Sequence, residues 1–469
     1  MAPRQISSIT PSWKKGFSFR LQPASAWMAI LGLFLFSTLF IVVGAGKILN
    51  LVFPGGAFIV GVFLYFRYPL LYVGFAWWMW FLTPLVRRLA DYRSSFTDPS
   101  PILLAPYLVL LISLVTLGQN LPKINRQGGL PFLLSFIGIG YAYLVGLIQA
   151  SPVQVTVALL EWLVPVLFGF HIFINWRNYP VYRRNIERVF LWGVLVMGIY
   201  GIIQYLIAPD WDGMWLTKTG LISAGSPEPL EIRVWSTMHS PGVFAVFMMV
   251  GLLMLLNKTG AFSRATSVIG YLTFLLTLVR GAWIMWLVGL LTHLSFLKSN
   301  LQIRIIIVIT VLALGVIPLT TIDPFAERIT PRIETLFNLE TDKSSNDRQD
   351  LYRQEIDSAL TNVVGNGMKK QEILDSGVID ILSSLGWFGG IFYLGGILML
   401  IWRLFEDARF NLDPFISICR AVSFCSLVGL IFGRQQIGAP GVILWGFLGL
   451  GMAACKYYLD QRNLTQEDY

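Results

Sequence analysis

Long apolar runs separated by short polar segments dominate the chain from residue 27 to residue 455. The runs that are long enough to cross a bilayer lie near residues 27–46, 49–66, 69–86, 101–118, 130–149, 152–174, 188–207, 240–256, 265–279, 281–297, 304–321, 377–402, 414–432 and 437–455. Because hydrocarbon offers the backbone no hydrogen-bonding partner, these runs are expected to be helices rather than open sheet. The pattern predicts an all-α polytopic membrane protein, one membrane domain over residues 1–469, with about 14 transmembrane helices (12–14).

One long polar segment, residues 322–376, interrupts this pattern between two apolar runs. Inside it, Asp347 can cap a helix that reads RQDLYRQEIDSALTNVV, which Gly365 and Gly367 would end. The apolar residues of that helix recur at near-helical spacing on one face: Tyr352, Ile356, Leu360 and Val363. The segment is therefore expected to hold an amphipathic helix that lies over the mouth of the membrane domain.

Composition supports the membrane assignment and excludes some partners. Of the 469 residues, 55% are hydrophobic and 13% are charged, about half the charged share of a soluble domain. The net charge of +9 is not a sign of nucleic-acid binding, since basic loops of membrane proteins face anionic lipid. Cys419, Cys425 and Cys455 all lie in apolar runs, so no disulfide framework or metal cluster is expected.

The distribution of basic residues predicts the orientation. The segment before Trp27 and the loops 175–188, 257–264, 298–304 and 403–413 are basic and fall on one side, which the positive-inside rule makes the cytoplasm. Both termini are then cytoplasmic, and the loops 208–239 and 322–376 face outward. The arginines of the segment RRLADYR, residues 87–93, fit this count badly. Either the helix count is off by one there, or these arginines are held outside for a reason.

Arginines that the orientation places outside are the first candidates for chemistry. They are Arg233, Arg280 and Arg434, which stand next to apolar runs, and Arg348 and Arg353 in the loop helix. The positive-inside rule disfavours basic residues in short outer loops, and a guanidinium fork suits phosphate oxygens. A lipid pyrophosphate at the outer leaflet would use several of them. Each alone could instead snorkel or pair with a loop carboxylate.

Carboxylates at or inside the membrane are the second group of candidates. Asp375 stands where the long loop enters the apolar run, with Asp380 about one turn deeper on roughly the same face. Asp375 could act as a general base for a sugar hydroxyl, or it could simply cap the helix. Glu161 lies deep in an apolar run, where its role is open. His239 is the histidine nearest the outer face and a candidate substrate-binding residue, and no residues have metal-ligand spacing.

Four stretches together resemble the O-antigen ligase and O-antigen polymerase superfamily. TLVRGAWIMWLVGLL is similar to its SRGAW helix, and RQDLYRQEIDSALTNVVGNGMKK to its arginine-bearing loop helix that ends in a Gly-x-Gly turn. LDSGVIDILSSLGWFGGIFYLGGI resembles the helix that follows, and RVWSTMHSPGVFAVFM the arginine-bearing outer loop before a Pro-Gly helix start. The resemblance extends from Arg233 to Gly396, and the first two hundred residues share only the hydropathy pattern.

This resemblance implies a GT-C-like fold and a glycosyltransferase that acts on undecaprenyl-pyrophosphate-linked glycans at the outer face of the bacterial inner membrane. Arg280, as a catalytic residue, and Arg233 would hold the pyrophosphate, and the loop helix with Arg348 and Arg353 would cover it. Where ligases have a catalytic histidine, this chain has Asp375. That difference favours a polymerase, or a transferase for another acceptor.

The expected partners are the lipid-linked glycan, a glycan or lipid acceptor, membrane lipid and other polysaccharide assembly proteins, with no cofactor and no metal. Two other classes remain open. A flippase for lipid-linked glycans, or another multi-span transporter, would also have about 14 spans. A membrane subunit that scaffolds polysaccharide export would use the arginines to bind lipid headgroups.

Overall fold

Helices make up most of the chain that the structure, a computed structural model, describes: residues 23–316, 356–357, 359–368, 376–406 and 413–467. Strand-like pairing in these ranges is limited to one isolated bridge between Gly225 and Ile232. The helices are α1 Ala24–Val42, α2 Gly46–Arg67, α3 Pro69–Arg93, α4 Ala105–Leu111, α5 Leu114–Asn120, α6 Leu130–Gln149, α7 Pro152–Ile174, α8 Tyr179–Ile207, α9 Asp210–Thr219, α10 Pro241–Leu255, α11 Ala261–Leu276, α12 Arg280–Ser295, α13 Ser299–Val316, α14 Gly377–Glu406, α15 Pro414–Gly429 and α16 Gly438–Glu467.

Nine helical segments of the described ranges are long and apolar enough to cross a membrane. They comprise α1, α2, α3, the segment Pro101–Lys123 with α4 and α5, α6, α7, α8 with the short turn before it, α14 and most of α16. Helices α10, α11 and α15 are apolar but shorter. All-helical architecture and a multi-pass membrane protein are thus confirmed. Every predicted apolar run overlaps a helix, and the larger number of crossings stays a prediction.

Local chemistry sets where several of these helices begin. Pro69, Pro152, Pro241 and Pro414 stand at first-turn positions, where the missing N–H costs nothing and the fixed φ suits a helix. The Ser240 hydroxyl accepts a hydrogen bond from the Val243 N–H at 3.3 Å at the start of α10. The Asp413 carboxylate accepts one from the Phe415 N–H at 2.9 Å at the start of α15.

Helix α16 is the centre of the bundle. Its most apolar window is 94% buried, whereas that of α1 is 17% buried, so α1 lies at the periphery. Backbones approach closely where α16 crosses α7: a Cβ on Gly449 would meet the Gly169 carbonyl oxygen at 2.1 Å, and one on Gly169 would meet the Trp445 oxygen at 2.3 Å. Small residues permit this contact, as in other helix pairs that pack without a hydrophobic driving force.

Described parts of three predicted basic loops, 175–188, 257–264 and 403–413, meet at one end of the bundle, called here the basic end. Arg183 pairs with Asp413 at 2.8 Å, and the Tyr179 hydroxyl donates to the same carboxylate at 2.6 Å. Lys258 pairs with Glu187, so the loops 175–188 and 257–264 also adjoin. The opposite end, called here the loop end, carries residues 208–240. That the basic end is cytoplasmic stays a prediction.

The misfit arginines lie at the loop end. Arg88 pairs with Asp212 of α9, and Arg87 pairs with Asp91 and Asp98. Both arginine side chains are buried. The explanation that these residues are held there for a structural reason therefore agrees with the contacts, and the helix count itself stays a prediction.

Candidate functional site

A buried ion pair fixes the segment 208–240 on the bundle. The Arg88 guanidinium lies 3.1 Å from the Asp212 carboxylate, with side chains 1% and 0% exposed. Tyr200 and Gln204 of α8 donate hydrogen bonds to the same carboxylate at 2.9 and 2.8 Å. A buried charge is costly unless it is paired and hydrogen-bonded, and the ion pair and the two hydrogen bonds to Asp212 reduce that cost. They join α9 to α3 and α8.

The turn that precedes α10 is held by hydrogen bonds to α8 and α3 and ends at His239. Gln204 accepts hydrogen bonds from the Trp235 and Ser236 N–H groups at 3.0 and 2.8 Å, and Thr237 donates to the Phe81 carbonyl. These three turn residues are buried, whereas His239 is exposed. A side chain that is exposed at the end of so rigid a turn is well placed to meet a ligand.

Surrounding protein and two arginines act on the His239 ring. Although part of His239 is exposed, the protein packed around its ring displaces water and lowers the pKa of the imidazole below the usual value, and the nearby Arg88 and Arg87 charges lower it further. The residue nevertheless keeps an exposed surface at the loop end. The imidazole is therefore neutral at pH 7 and can accept a proton.

Arg233 anchors the same segment to the turn between α11 and α12. Its Nε, Nη1 and Nη2 donate to the carbonyl oxygens of Thr277, Ser223 and Leu278 at 3.1, 2.6 and 2.9 Å. Two of these carbonyls follow the end of α11, where a helix leaves acceptors unsatisfied. The structure thus gives Arg233 a structural task, and its predicted contact with pyrophosphate stays a prediction.

Arg280 is the first residue of α12 and is partly exposed. It follows Leu278, which Arg233 contacts, by two residues. A Cβ on the next residue, Gly281, would meet the Phe432 side chain at 3.1 Å, so α12 begins beside the turn that carries Arg434. Helix N-termini favour anions. The three described candidate arginines, Arg233, Arg280 and Arg434, therefore lie at the loop end in neighbouring turns.

Arg434 forms a two-point contact with Asp380 in the first turn of α14. Its Nε and Nη2 donate to the two carboxylate oxygens at 2.9 and 3.4 Å. Gln436 and Ser384 donate to the same carboxylate at 2.6 and 3.2 Å. Asp380 is 0% exposed, while the Arg434 side chain is 27% exposed. Asp380 is thus saturated with donors and positions Arg434, whose outer edge faces solvent.

Glu161 belongs to the same region of the bundle. Tyr107 lies within electrostatic range of both Glu161 and Arg434, and its hydroxyl would lie 3.1 Å from a Cβ on Gly438. Trp162, the residue after Glu161, packs edge-on against Tyr393 with ring centres 5.3 Å apart. Glu161 is partly exposed despite its depth in α7.

An apolar groove of about 520 Å³ opens beside this cluster. Its lining comes from the end of the loop helix, the start of α14 and the turn after α15: Ile356, Ala359, Leu360, Ser376, Val378, Ile379, Leu382, Ile431 and Phe432. The described end of the loop helix is helical through Thr361. It stops before Val363, earlier than its apolar spacing indicated, and Gly365 and Gly367 then adopt positive φ.

Three predicted site residues, Asp375, Arg348 and Arg353, lie outside the described residues. Sequence reasoning did not identify the Arg88–Asp212 pair or the link between Asp380 and Arg434. Single charges inside apolar runs were the available signal, but their pairing across the chain was not. Among the described residues, no three His, Cys, Asp or Glu side chains converge as metal ligands. A scan against known protein families finds no match for the chain, and a comparison with curated proteins finds no similar sequence.

Proposed function

We propose that this protein is a membrane glycosyltransferase of the O-antigen polymerase or ligase type. It uses a polyprenyl-pyrophosphate-linked glycan, undecaprenyl in bacteria, at the loop end of the bundle, which we place at the outer face of the inner membrane. The observation that carries the proposal is the convergence of Arg233, Arg280 and Arg434 at one end of an apolar bundle. A pyrophosphate needs cationic donors, and its lipid tail needs an apolar surface beside them.

The reaction is a single displacement at the anomeric carbon. An acceptor hydroxyl attacks that carbon and gives its proton to a base, which we assign to Asp375. The bond from the anomeric carbon to the pyrophosphate oxygen breaks with inversion, and the pyrophosphate leaves with the bonding electrons. Arg280 and Arg434 stabilise the charge that develops on the leaving group, and Arg348 and Arg353 cover the site. His239 is the next candidate base, because it is exposed and neutral at pH 7.

Transport of a lipid-linked glycan is the second candidate function. Glu161 favours it, since a partly exposed carboxylate deep in a helix is common in ion-coupled carriers. A carrier would place its substrate residues near the midplane. Among the described residues, however, the three arginines lie together at one end of the bundle.

Purified protein with synthetic lipid-linked repeats tests the proposal. Chain growth supports a polymerase, and transfer to a second acceptor supports a ligase. If neither product forms but the lipid-linked glycan moves across the membrane of vesicles that contain the protein, the result supports a flippase. Arg403→Gln, at the basic end, is a suitable control variant because it removes one charge far from the site. If correctly folded wild-type protein transfers glycan from none of the donors, the proposal is refuted.

Orientation is a separate condition of the proposal. We expect a reporter fused after Asn346 to be exposed outside and one fused after Arg184 to be inside, because Arg184 belongs to a basic loop. Reporters whose activity depends on the side of the membrane measure the location of both fusion points in whole cells. A reporter after Asn346 that proves cytoplasmic would exclude catalysis at the outer face.

A further inference from the structure

A pair of cations shares one aromatic ring at the basic end. The Arg177 guanidinium lies 4.6 Å from the centre of the Trp176 ring, and the Lys456 ammonium lies 5.5 Å from the same ring. Lys456 also lies 5.2 Å from the Phe173 ring. Each cation gains from the ring quadrupole, but the two positive charges also lie within electrostatic range of each other. That repulsion is relieved when an anion binds between them.

Much of the hydrogen-bonding capacity of this pair is unused among the described residues. Arg177 is exposed and makes no hydrogen bond or ion pair there. Lys456 donates one hydrogen bond, to the Gln127 carbonyl at 3.1 Å, although an ammonium has three donors. A phosphate group accepts several such hydrogen bonds at once.

The surroundings add positive charge and little negative charge. Lys123 and Arg126 are exposed on the segment before Gln127. Of the acidic side chains at this end, Glu187 already pairs with Arg183 and Lys258, Asp413 pairs with Arg183, and Glu406 is exposed at the end of α14. Asp460, one turn beyond Lys456, is the acid within electrostatic range of it. The local balance therefore remains positive.

We propose that Arg177 and Lys456, held over Trp176, bind the phosphate of an anionic phospholipid headgroup at the basic end. The pair stands where α7 ends and α8 begins, beside the part of α16 that leaves the apolar bundle. Aromatic and basic side chains at such helix ends mark the membrane–water interface, and basic pockets between spanning helices bind anionic headgroups. Binding there requires neither the glycosyl donor nor the loop end.

The test uses the purified full chain and native mass spectrometry with phosphatidylglycerol or phosphatidylcholine. Wild-type protein should retain phosphatidylglycerol preferentially. Arg177→Gln should weaken the first bound phosphatidylglycerol about fivefold, and Arg177→Gln with Lys456→Gln about 25-fold, from the typical contribution of one basic residue near a membrane. The single Arg177→Gln change removes an exposed side chain, so its folding should match the wild type.

A charge-matched control is Arg184→Gln with Arg264→Gln. Both arginines are exposed at the basic end and donate to carbonyls of their own helix starts, so this variant should retain the lipid within twofold of wild type. Equal losses in both double variants would show a diffuse charge effect and overturn the site. No loss in either would do the same. Equal binding of free glycerol phosphate would overturn the lipid assignment.

Discussion

The Asp380–Arg434 pair makes a quantitative prediction about the loop end. A cycle of Asp380→Asn, Arg434→Gln and the double variant isolates the interaction between the two side chains. Their contact has two points, at 2.9 and 3.4 Å. If the pair positions Arg434 as the geometry indicates, the two single changes should not be additive.

The expected magnitudes differ for the two partners because their exposure differs. In Arg434→Gln, the buried Asp380 keeps only Gln436 and Ser384 as donors, and loss of one partner of a buried pair costs about 3–5 kcal/mol. In Asp380→Asn, the Arg434 side chain, 27% exposed, can turn toward water. We therefore expect a smaller loss of about 2–3 kcal/mol, one or two hydrogen bonds to a charged group. The coupling energy should be about 1.5–3 kcal/mol.

Unfolding in mixed detergent and SDS micelles, followed by circular dichroism, measures these free energies. Asp380→Asn combined with Arg403→Gln is the control, since Arg403 contacts the Gly128 carbonyl at the basic end and distant sites add within about 0.5 kcal/mol. If the losses in the free energy of unfolding for the Asp380 and Arg434 changes also add within about 0.5 kcal/mol, the pairing is refuted. A larger loss for Asp380→Asn than for Arg434→Gln would refute the assignment of the buried charge.

Arg280→Lys should lose most glycan transfer in the lipid-linked-repeat assay while its expression and melting temperature stay normal, because an ammonium cannot make the bidentate contact; wild-type activity would leave only a snorkelling role. Asp375→Asn should abolish turnover and keep donor binding if Asp375 is the base, whereas near-normal transfer would move the base to His239. Gly386→Ala should lower the melting temperature clearly, since Gly386 has φ 64° and a Cβ there would lie 2.4 Å from a carbonyl oxygen. Gly395→Ala on the same helix, in open space, should have little effect, and equal shifts would contradict this reasoning.

Hydropathy alone predicted the helices, because a spanning helix makes all its backbone hydrogen bonds within its own segment. Its position therefore depends only on the residues of that segment. Each apolar run that the sequence indicated overlaps a helix. Basic residues likewise predicted that the loops 175–188 and 257–264 share one end, and Lys258 and Glu187 meet there.

The sequence could not determine which charges pair, because the partners are brought together by packing of distant segments. Asp380 and Arg434 are 54 residues apart, and Arg88 and Ser236 are 148 apart. Arg233 illustrates the consequence. Its position before an apolar run suggested a ligand-binding role, yet three of its donors meet backbone carbonyls.

Exposure also depended on the tertiary structure. His239 and the buried Trp235 lie in one short stretch of sequence, but only Trp235 is covered by the fold, where its N–H donates to Gln204 and Arg88 donates to the Ser236 carbonyl beside it. An apolar run predicts a helix because backbone hydrogen bonding within one segment is a local property. The charged residues of the loop end come together only because α3, α8, α12, α14 and the turn after α15 pack at one end of the bundle. No local sequence pattern specifies that packing.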